Sequence, residues 1–416
     1  MSLSRIAVIA YHSSPLLRPG SGDAGGMTVY VRGLTGALAD RGIYTDIFTR
    51  AADPGAPHVA SLRPGVRVVT IEAGPRTAIP KERLTPHVRT FAAGMRAFST
   101  ANAIRYDLLH SHYWQSGLAA RDLRRVWGAP WVHSQHTLAK VKNSQLAPGD
   151  VPEPQSRIEG EEAIMSEADV LIASTDDEWR QLSCLYGVPH DRLKTIHPGV
   201  DHSIFHPGDR AADRASLGIG DEALLVCAGR IQPLKGVDLA IKALQRLEGA
   251  VGRKVVLFVV GGPSGASGNG ELQRLEDLAS RLGVRDRVRF VGARDHDEIA
   301  PFLRAADVVL VCSHSESFGL VALEAHACGT PVVGTALEGL SHIVQDGITG
   351  FLVDTRDPDV FASRIQTLVT DEERRSAMGY EAERIAHTFS WAKSAEAMAD
   401  LYECLVEERW PQLCTC

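Results

Sequence analysis

No stretch of this chain stays apolar for the ~18 residues that a membrane-spanning helix requires, so no stable membrane anchor is expected. No C-x-x-C pair occurs, and the seven cysteines are odd in number. Both facts argue against a disulfide framework or a structural zinc and for a reduced, cytoplasmic setting. Most of the cysteines sit in apolar runs, where a thiol behaves as a small hydrophobe. Cys414 and Cys416 have no candidate partner ligands nearby and are not read as a metal site. A basic excess is missing too. The formal net charge of −7 removes the broad positive footprint of a nucleic-acid-binding protein, although a local basic pocket is compatible with it. There is no repeat of solenoid length and no low-complexity segment. The opening MSLSRIAVIAYH turns polar too soon for a signal peptide and reads as a first strand.

What is present is a double series of short apolar runs. The 416 residues exceed one ordinary core. RIAVIAYH, YTDIFTR, VRVVTIEA, DLLHSHY, PWVHSQH and DVLIAST alternate with helical stretches. After Pro207 the series restarts with ALLVCAGR, KVVLFVVGG, RVRFVGA, VVLVCSH, PVVGTA and GFLVD. Continuous apolar strands separated by helices predict parallel sheets covered on both faces. Two series predict an α/β chain of two doubly wound, Rossmann-like domains. The Pro-, Gly- and His-rich segment 197–210 marks the boundary, with a capped helix expected from Asp213 onward. Ligands in such sheets bind beyond the carboxyl ends of strands, which places a site in the cleft where the two sheets face.

Each chemistry-bearing motif follows one of these strands. In GSGDAGGMTVYVRGL, Gly25 and Gly26 let a backbone approach a ligand closely, and the helix behind them offers N–H groups to a phosphate. A tight structural turn explains the same glycines equally well, and the segment is not read as G-x-G-x-x-G, which counts against a standard NAD enzyme. In GRIQPLKG, Arg230 and Lys235 stand five residues apart between Gly229 and Gly236. A forked guanidinium and a point-charge ammonium suit a diphosphate. In ESFGLVALE, Glu316 and Glu324 lie eight residues apart, about two helical turns. Such carboxylates accept hydrogen bonds from vicinal hydroxyls, one on a sugar and one on a ribose. Phe318, Gly319 and Leu320 place free N–H groups at the helix start. An acid favoured by the helix dipole is the plainer reading of either glutamate alone. His110, His112, His133 and His136 admit a metal cluster as an alternative, since strand alternation puts His110 and His112 on one face. Cleft histidines serving a nucleotide sugar are the preferred reading. Trp114 and Trp131 read as core.

The R-x4-K and E-x7-E motifs together resemble the retaining nucleotide-sugar transferases of glycosyltransferase family 4. HSSPLLRPGSGDAGGMTVYV, HSHYWQSG, HTLAKVKN and GRIQPLKG resemble more narrowly the inositol 3-phosphate transferases of mycothiol biosynthesis. The resemblance implies the GT-B architecture, with residues 1–203 plus 390–416 forming the acceptor domain and its returning helix, and 204–389 the donor domain. It implies donor-binding roles for Arg18, Gly25, Gly26, Arg230, Lys235, Arg294, Glu316, Phe318, Gly319, Leu320 and Glu324. His12, Thr28, Lys81, Tyr113, Thr137 and Arg157 would hold the acceptor. Arg230, Lys235, Glu316 and His136, beside the transferred sugar, would carry catalysis. Two positions depart from the family pattern: Thr28 stands where Asn is usual, and Arg18 where Gln is usual. The reaction implied moves N-acetylglucosamine from UDP-GlcNAc to inositol 3-phosphate with retention. No cofactor is required and no structural magnesium is predicted. The alternatives are a secondary-metabolism paralogue of the lincomycin-pathway type, using a GDP-linked sugar and a small thiol or betaine, and a sugar-nucleotide epimerase or non-catalytic sensor. Partners are then the nucleotide sugar and a small acceptor, not nucleic acid, with monomer and homodimer both open.

Overall fold

The computed structural model describes residues 3–407 apart from 21 and 265–267. Cys414, Cys416 and the rest of 408–416 lie outside the described residues. Every apolar run named above contains a strand. The first sheet comprises β1 (Arg5–Ile9), β2 (Tyr44–Arg50), β3 (Val59–Arg63), β4 (Val66–Ile71), β5 (Leu108–His112), β6 (Trp131–Ser134), β7 (Val170–Ala173) and β8 (Leu193–Thr195). Its order is β3-β4-β2-β1-β5-β6-β7-β8. The second comprises β9 (Ala223–Ala228), β10 (Val255–Val260), β11 (Val288–Gly292), β12 (Val308–Val311), β13 (Val332–Thr335) and β14 (Gly350–Val353). Its order is β11-β10-β9-β12-β13-β14.

Pairing is parallel throughout except at the edge, where β3 runs antiparallel to β4. Neither β3 nor β8 was foreseen. The side chains of β3 alternate between exposed and partly exposed, and β8 is three residues long. Central strands are buried on both faces; β10 is buried along its whole length. That is why they read as unbroken apolar runs. Strand order reverses between β1 and β5 in one sheet and between β9 and β12 in the other. Such switch points open a crevice at the carboxyl ends of the strands.

The chain crosses between the sheets twice. Val200 pairs with Ser390 at this crossing. A Cβ on Gly199 would lie 2.1 Å from the Trp391 backbone nitrogen, so only glycine permits the contact. Asp209 caps the first helix of the second domain, Arg210–Ser216, accepting from the Ala212 amide at 2.9 Å. The expected start at Asp213 was too late because Asp209 offers the same cap one turn earlier. The last helix, Trp391–Val406, returns to the first sheet. Its Trp391, Met398 and Tyr402 share a core with Ile6, Val8 and Leu34. The Tyr402 hydroxyl meets Nδ1 of buried His110 at 2.5 Å. No helix among the described residues is long and apolar enough to cross a membrane.

Candidate active site in the cleft between the domains

A cleft of 1210 Å³ lies between the two sheets. The loops after β1, β5, β6, β9 and β12 supply its walls. His12, Gly25, Gly26, Lys81, Tyr113, His136, Thr137 and Arg157 line the first-domain side. Arg230, Lys235, Arg294, Glu316, Phe318, Gly319, Leu320 and Glu324 line the other. The two walls touch: Ser317 Oγ donates to the His136 carbonyl at 2.7 Å, and the Gly262 amide donates to the Gly20 carbonyl at 3.0 Å.

Arg18 and Thr28 are the exceptions, since neither lines the cleft. Arg18 points outward and forms a two-pronged ion pair with Asp295 of the other domain, both bonds at 2.8 Å. The Thr28 hydroxyl faces inward, 3.0 Å from Ser13 Oγ, and is buried beneath the loop. The two departures from the family pattern therefore sit in the walls of the cleft, not at its surface. Gly20, Gly22 and Gly25 do spell G-x-G-x-x-G, contrary to the reading above. The run begins well beyond the end of β1 at Ile9, whereas a dinucleotide fingerprint follows its strand directly.

Two side chains are aimed by unusual backbone. Tyr113, after β5, has φ 73 and ψ 152, a region occupied almost only by glycine. His136, after β6, has φ 63. Such strain costs of order 1–3 kcal/mol and persists where the surroundings fix it. His136 Nε2 lies 2.9 Å from His112 Nδ1. Burial pushes His136 down to about 3 and His133 to about 4, so both rings are neutral at neutral pH. Of the four histidines expected in the cleft only His136 lines it; His110, His112 and His133 are fully buried behind the wall, because their strands are covered on both faces. His110 meets Tyr402 and Ser134, and His133 meets Ser111 and Gln135. Among the described residues, no group of His, Cys, Asp or Glu could hold a metal ion.

The cations are of two kinds. Lys81, Arg230 and Arg294 line the cleft with no ion-pair partner among the described residues. Lys235 Nζ instead lies 2.7 Å from Glu316 Oε2, which also accepts from Ser313 Oγ at 3.2 Å. His12 sits where the positive groups meet. Burial, then Lys81, Arg230, His136 and Arg157, hold its imidazole well below the ordinary histidine range. Its Nδ1 is buried without a partner among the described residues. This corner of the cleft is thus electropositive.

Arg157 is almost wholly buried. Its Nε donates to Glu161 at 2.8 Å, its Nη1 faces Glu153 at 2.9 Å, and its Nη2 reaches the Thr137 carbonyl and hydroxyl at 2.8 and 3.0 Å. The guanidinium lies over the Tyr113 ring, 4.9 Å from its centroid. Of its five N–H groups, at most one is left for a ligand.

Glu316 lies in the loop before the short helix Leu320–Ala327, and Glu324 lies within that helix. Gly319, at φ 89, forms the cap. Phe318 buries its ring in the second-domain core, leaving only its backbone for the cleft. Sequence reasoning passed over His296 and Lys142. His296 Nε2 holds Glu324 Oε1 at 2.7 Å; burial lowers its pKa, but Glu324 outweighs this and leaves it raised. Lys142 lines the cleft and pairs with Glu153. His296 lies two residues after Arg294, and Lys142 lies within HTLAKVKN five residues after Thr137; a titratable group close to the chosen residue was the available signal.

Gly25 offers a selective test. A Cβ there would lie 2.9 Å from Arg230 Nε. The obstructed atom ends a flexible side chain, so Gly25→Ala displaces the guanidinium without unfolding the protein. The expected result is donor KM raised about tenfold, the loss of one charge-assisted contact, with the melting temperature unchanged. An unchanged KM would show that Arg230 does not meet the donor.

The comparisons agree with this geometry. A family model described as glycosyl transferases group 1 matches residues 209–385, and one described as a glycosyl transferase 4-like domain matches 25–199. The chain is 46% identical over 413 residues to a D-inositol 3-phosphate glycosyltransferase of Kribbella flavida, covering 97% of this chain and 96% of that one. It is 46% identical to the protein of the same name from Mycobacterium tuberculosis, covering 97% and 84%. Among solved structures, a sucrose-phosphate synthase from Thermosynechococcus elongatus superposes with TM-score 0.91 at 33% identity, covering 97% of this chain and 100% of that one. The chain belongs to the group 1, family 4 glycosyltransferases, nucleotide-sugar-dependent transferases of the GT-B fold.

Proposed function

We propose that the chain transfers N-acetylglucosamine from UDP-GlcNAc to inositol 3-phosphate with retention of anomeric configuration. One observation carries this reading: an electropositive corner in which neutral His12 is flanked by Lys81 and Arg157 from one wall and Arg230 from the other. Two anions meet there, an acceptor phosphate on the first domain and a donor diphosphate on the second. Curated relatives at this level of identity carry the inositol 3-phosphate name, which supports the acceptor.

In this reading Lys81 and the Tyr113 and Thr137 hydroxyls hold the acceptor phosphate. Arg157 supplies one N–H at most and mainly holds Thr137 and Tyr113 in place. Glu324, held by His296, accepts from the ribose. Glu316 accepts from the transferred sugar, so it does not serve as a covalent nucleophile. The departing β-phosphate takes the acceptor's proton on the same face. Arg230 and Lys235 stabilise the negative charge that develops on it, and the closed cleft supplies positioning. These two cations supply the charge that a metal provides elsewhere, and no cofactor is invoked. The stereochemistry is checked by proton NMR of freshly formed product. The donor's anomeric configuration is expected in the product; an inverted linkage contradicts a same-face mechanism.

A further inference from the structure

The second sheet has another charged cavity at its opposite end. Asp307 immediately precedes β12, Arg253 lies just before β10, and Gly220 and Asp221 lie just before β9. These are the amino ends of the strands, facing away from the cleft. Asp307 is fully buried, and four arginines converge on it. Arg210 Nη2 and Arg253 Nη2 lie 2.8 and 3.2 Å from Oδ1, Arg375 Nε lies 3.5 Å from it, and Arg214 Nη1 lies 3.5 Å from Oδ2. The four arginines, but not Asp307, line a cavity of 440 Å³ with Asp221 and Glu372.

One carboxylate does not need four guanidinium groups. Oδ2 is also satisfied by the Leu224 amide at 2.8 Å. Glu372, the other acid in an ion pair there, is 84% exposed and 3.8 Å from Arg375, where solvent weakens its contribution. Even with Asp221 and Glu372 counted in full, positive charge remains in excess.

The arginines divide by role. Arg214 and Arg375 are largely buried and spend further N–H groups on the carbonyls of Ala305, Gly220 and Leu368; they belong to the framework. Arg210 and Arg253 are 40% and 34% exposed. Among the described residues, Arg210 is bonded to the protein only through Nη2, and the bonds of Arg253 leave Nε uncommitted.

We propose that this cavity is an anion site for a phosphate group, either free or at the end of a small metabolite, gripped by Arg210 and Arg253 and separate from the catalytic cleft. Forked guanidiniums match the several oxygens of a phosphate better than a single carboxylate oxygen.

The test is arginine labelling of the full chain with phenylglyoxal, read peptide by peptide by mass spectrometry. Inorganic phosphate is compared with chloride at equal ionic strength. Reading Arg210 directly avoids confusion with phosphate bound in the cleft. Labelling of Arg210 is expected to slow at least threefold in millimolar phosphate. Arg253→Ala, which leaves Arg210, Arg214 and Arg375 on Asp307, removes that protection, whereas Arg253→Lys keeps part of it. No protection in the wild-type chain, or equal protection in Arg253→Ala, overturns the proposal. A second arm uses glucose 6-phosphate. Stronger protection than by inorganic phosphate assigns the site to a phosphorylated metabolite; equal or weaker protection assigns it to free phosphate.

Discussion

Lys235→Ala lowers turnover by roughly two to three powers of ten, the cost of removing one preorganised group that faces developing charge. Lys235 reaches the cleft from the loop after β9, and its ammonium is already oriented by Glu316 at 2.7 Å. That pair is partly buried, so little reorganisation is needed when a phosphate arrives beside it. The charge on the leaving phosphate grows as the bond to the sugar breaks. An ammonium fixed beforehand therefore stabilises the transition state more than the bound donor. The loss belongs in kcat as well as kcat/KM. Removing Lys235 also leaves Glu316 with Ser313 as its remaining partner, which adds repulsion toward the diphosphate. Circular dichroism and the melting temperature should match those of the wild-type chain. Unchanged turnover removes Lys235 from the mechanism.

Arg157→Met destabilises the chain by about 3–5 kcal/mol, the cost of leaving a buried charge unpaired. Glu161 is fully buried. It keeps bonds from Gln135, the Ala139 amide and Tyr186, which place the loss toward the lower end of that range. Arg157 and Lys142 together hold Glu153 down to about 2, against the opposing effect of burial. The loss is read from urea unfolding of both variants. Arg157→Met/Glu161→Gln recovers part of the stability, because the orphaned charge goes with its partner. Acceptor KM rises in both variants, since Thr137 loses the guanidinium that anchors it. A single variant as stable as wild type would show that Arg157 is not the counter-ion of Glu161.

The architecture was legible because burial on both faces forces central strands to be continuously apolar. β3 and β8 were not, for the same reason. They lie at the sheet edges and carry no such run; Leu193 is the one buried residue of β8. The location of the site was legible because each motif follows a strand whose carboxyl end must face the crevice. Its internal bonding was not. Arg18 and Asp295 are 277 residues apart, and nothing local in the sequence pairs them. Thr28 shares a motif with lining residues but points the other way on its helix. Arg157 was identified as a charge for the acceptor, while its two glutamates, Glu153 and Glu161, belong to the same segment and claim most of its donors. The left-handed backbone of Tyr113 and His136 was also hidden, because neither is a glycine.

The donor and acceptor pair is tested most directly by incubating the purified chain with UDP-GlcNAc or a GDP-hexose, each with inositol 3-phosphate, and following products by mass spectrometry. An N-acetylglucosaminyl inositol phosphate formed with UDP-GlcNAc is the predicted result. No such adduct, from a chain that still binds UDP, would contradict the account and point to a different acceptor in the same cleft.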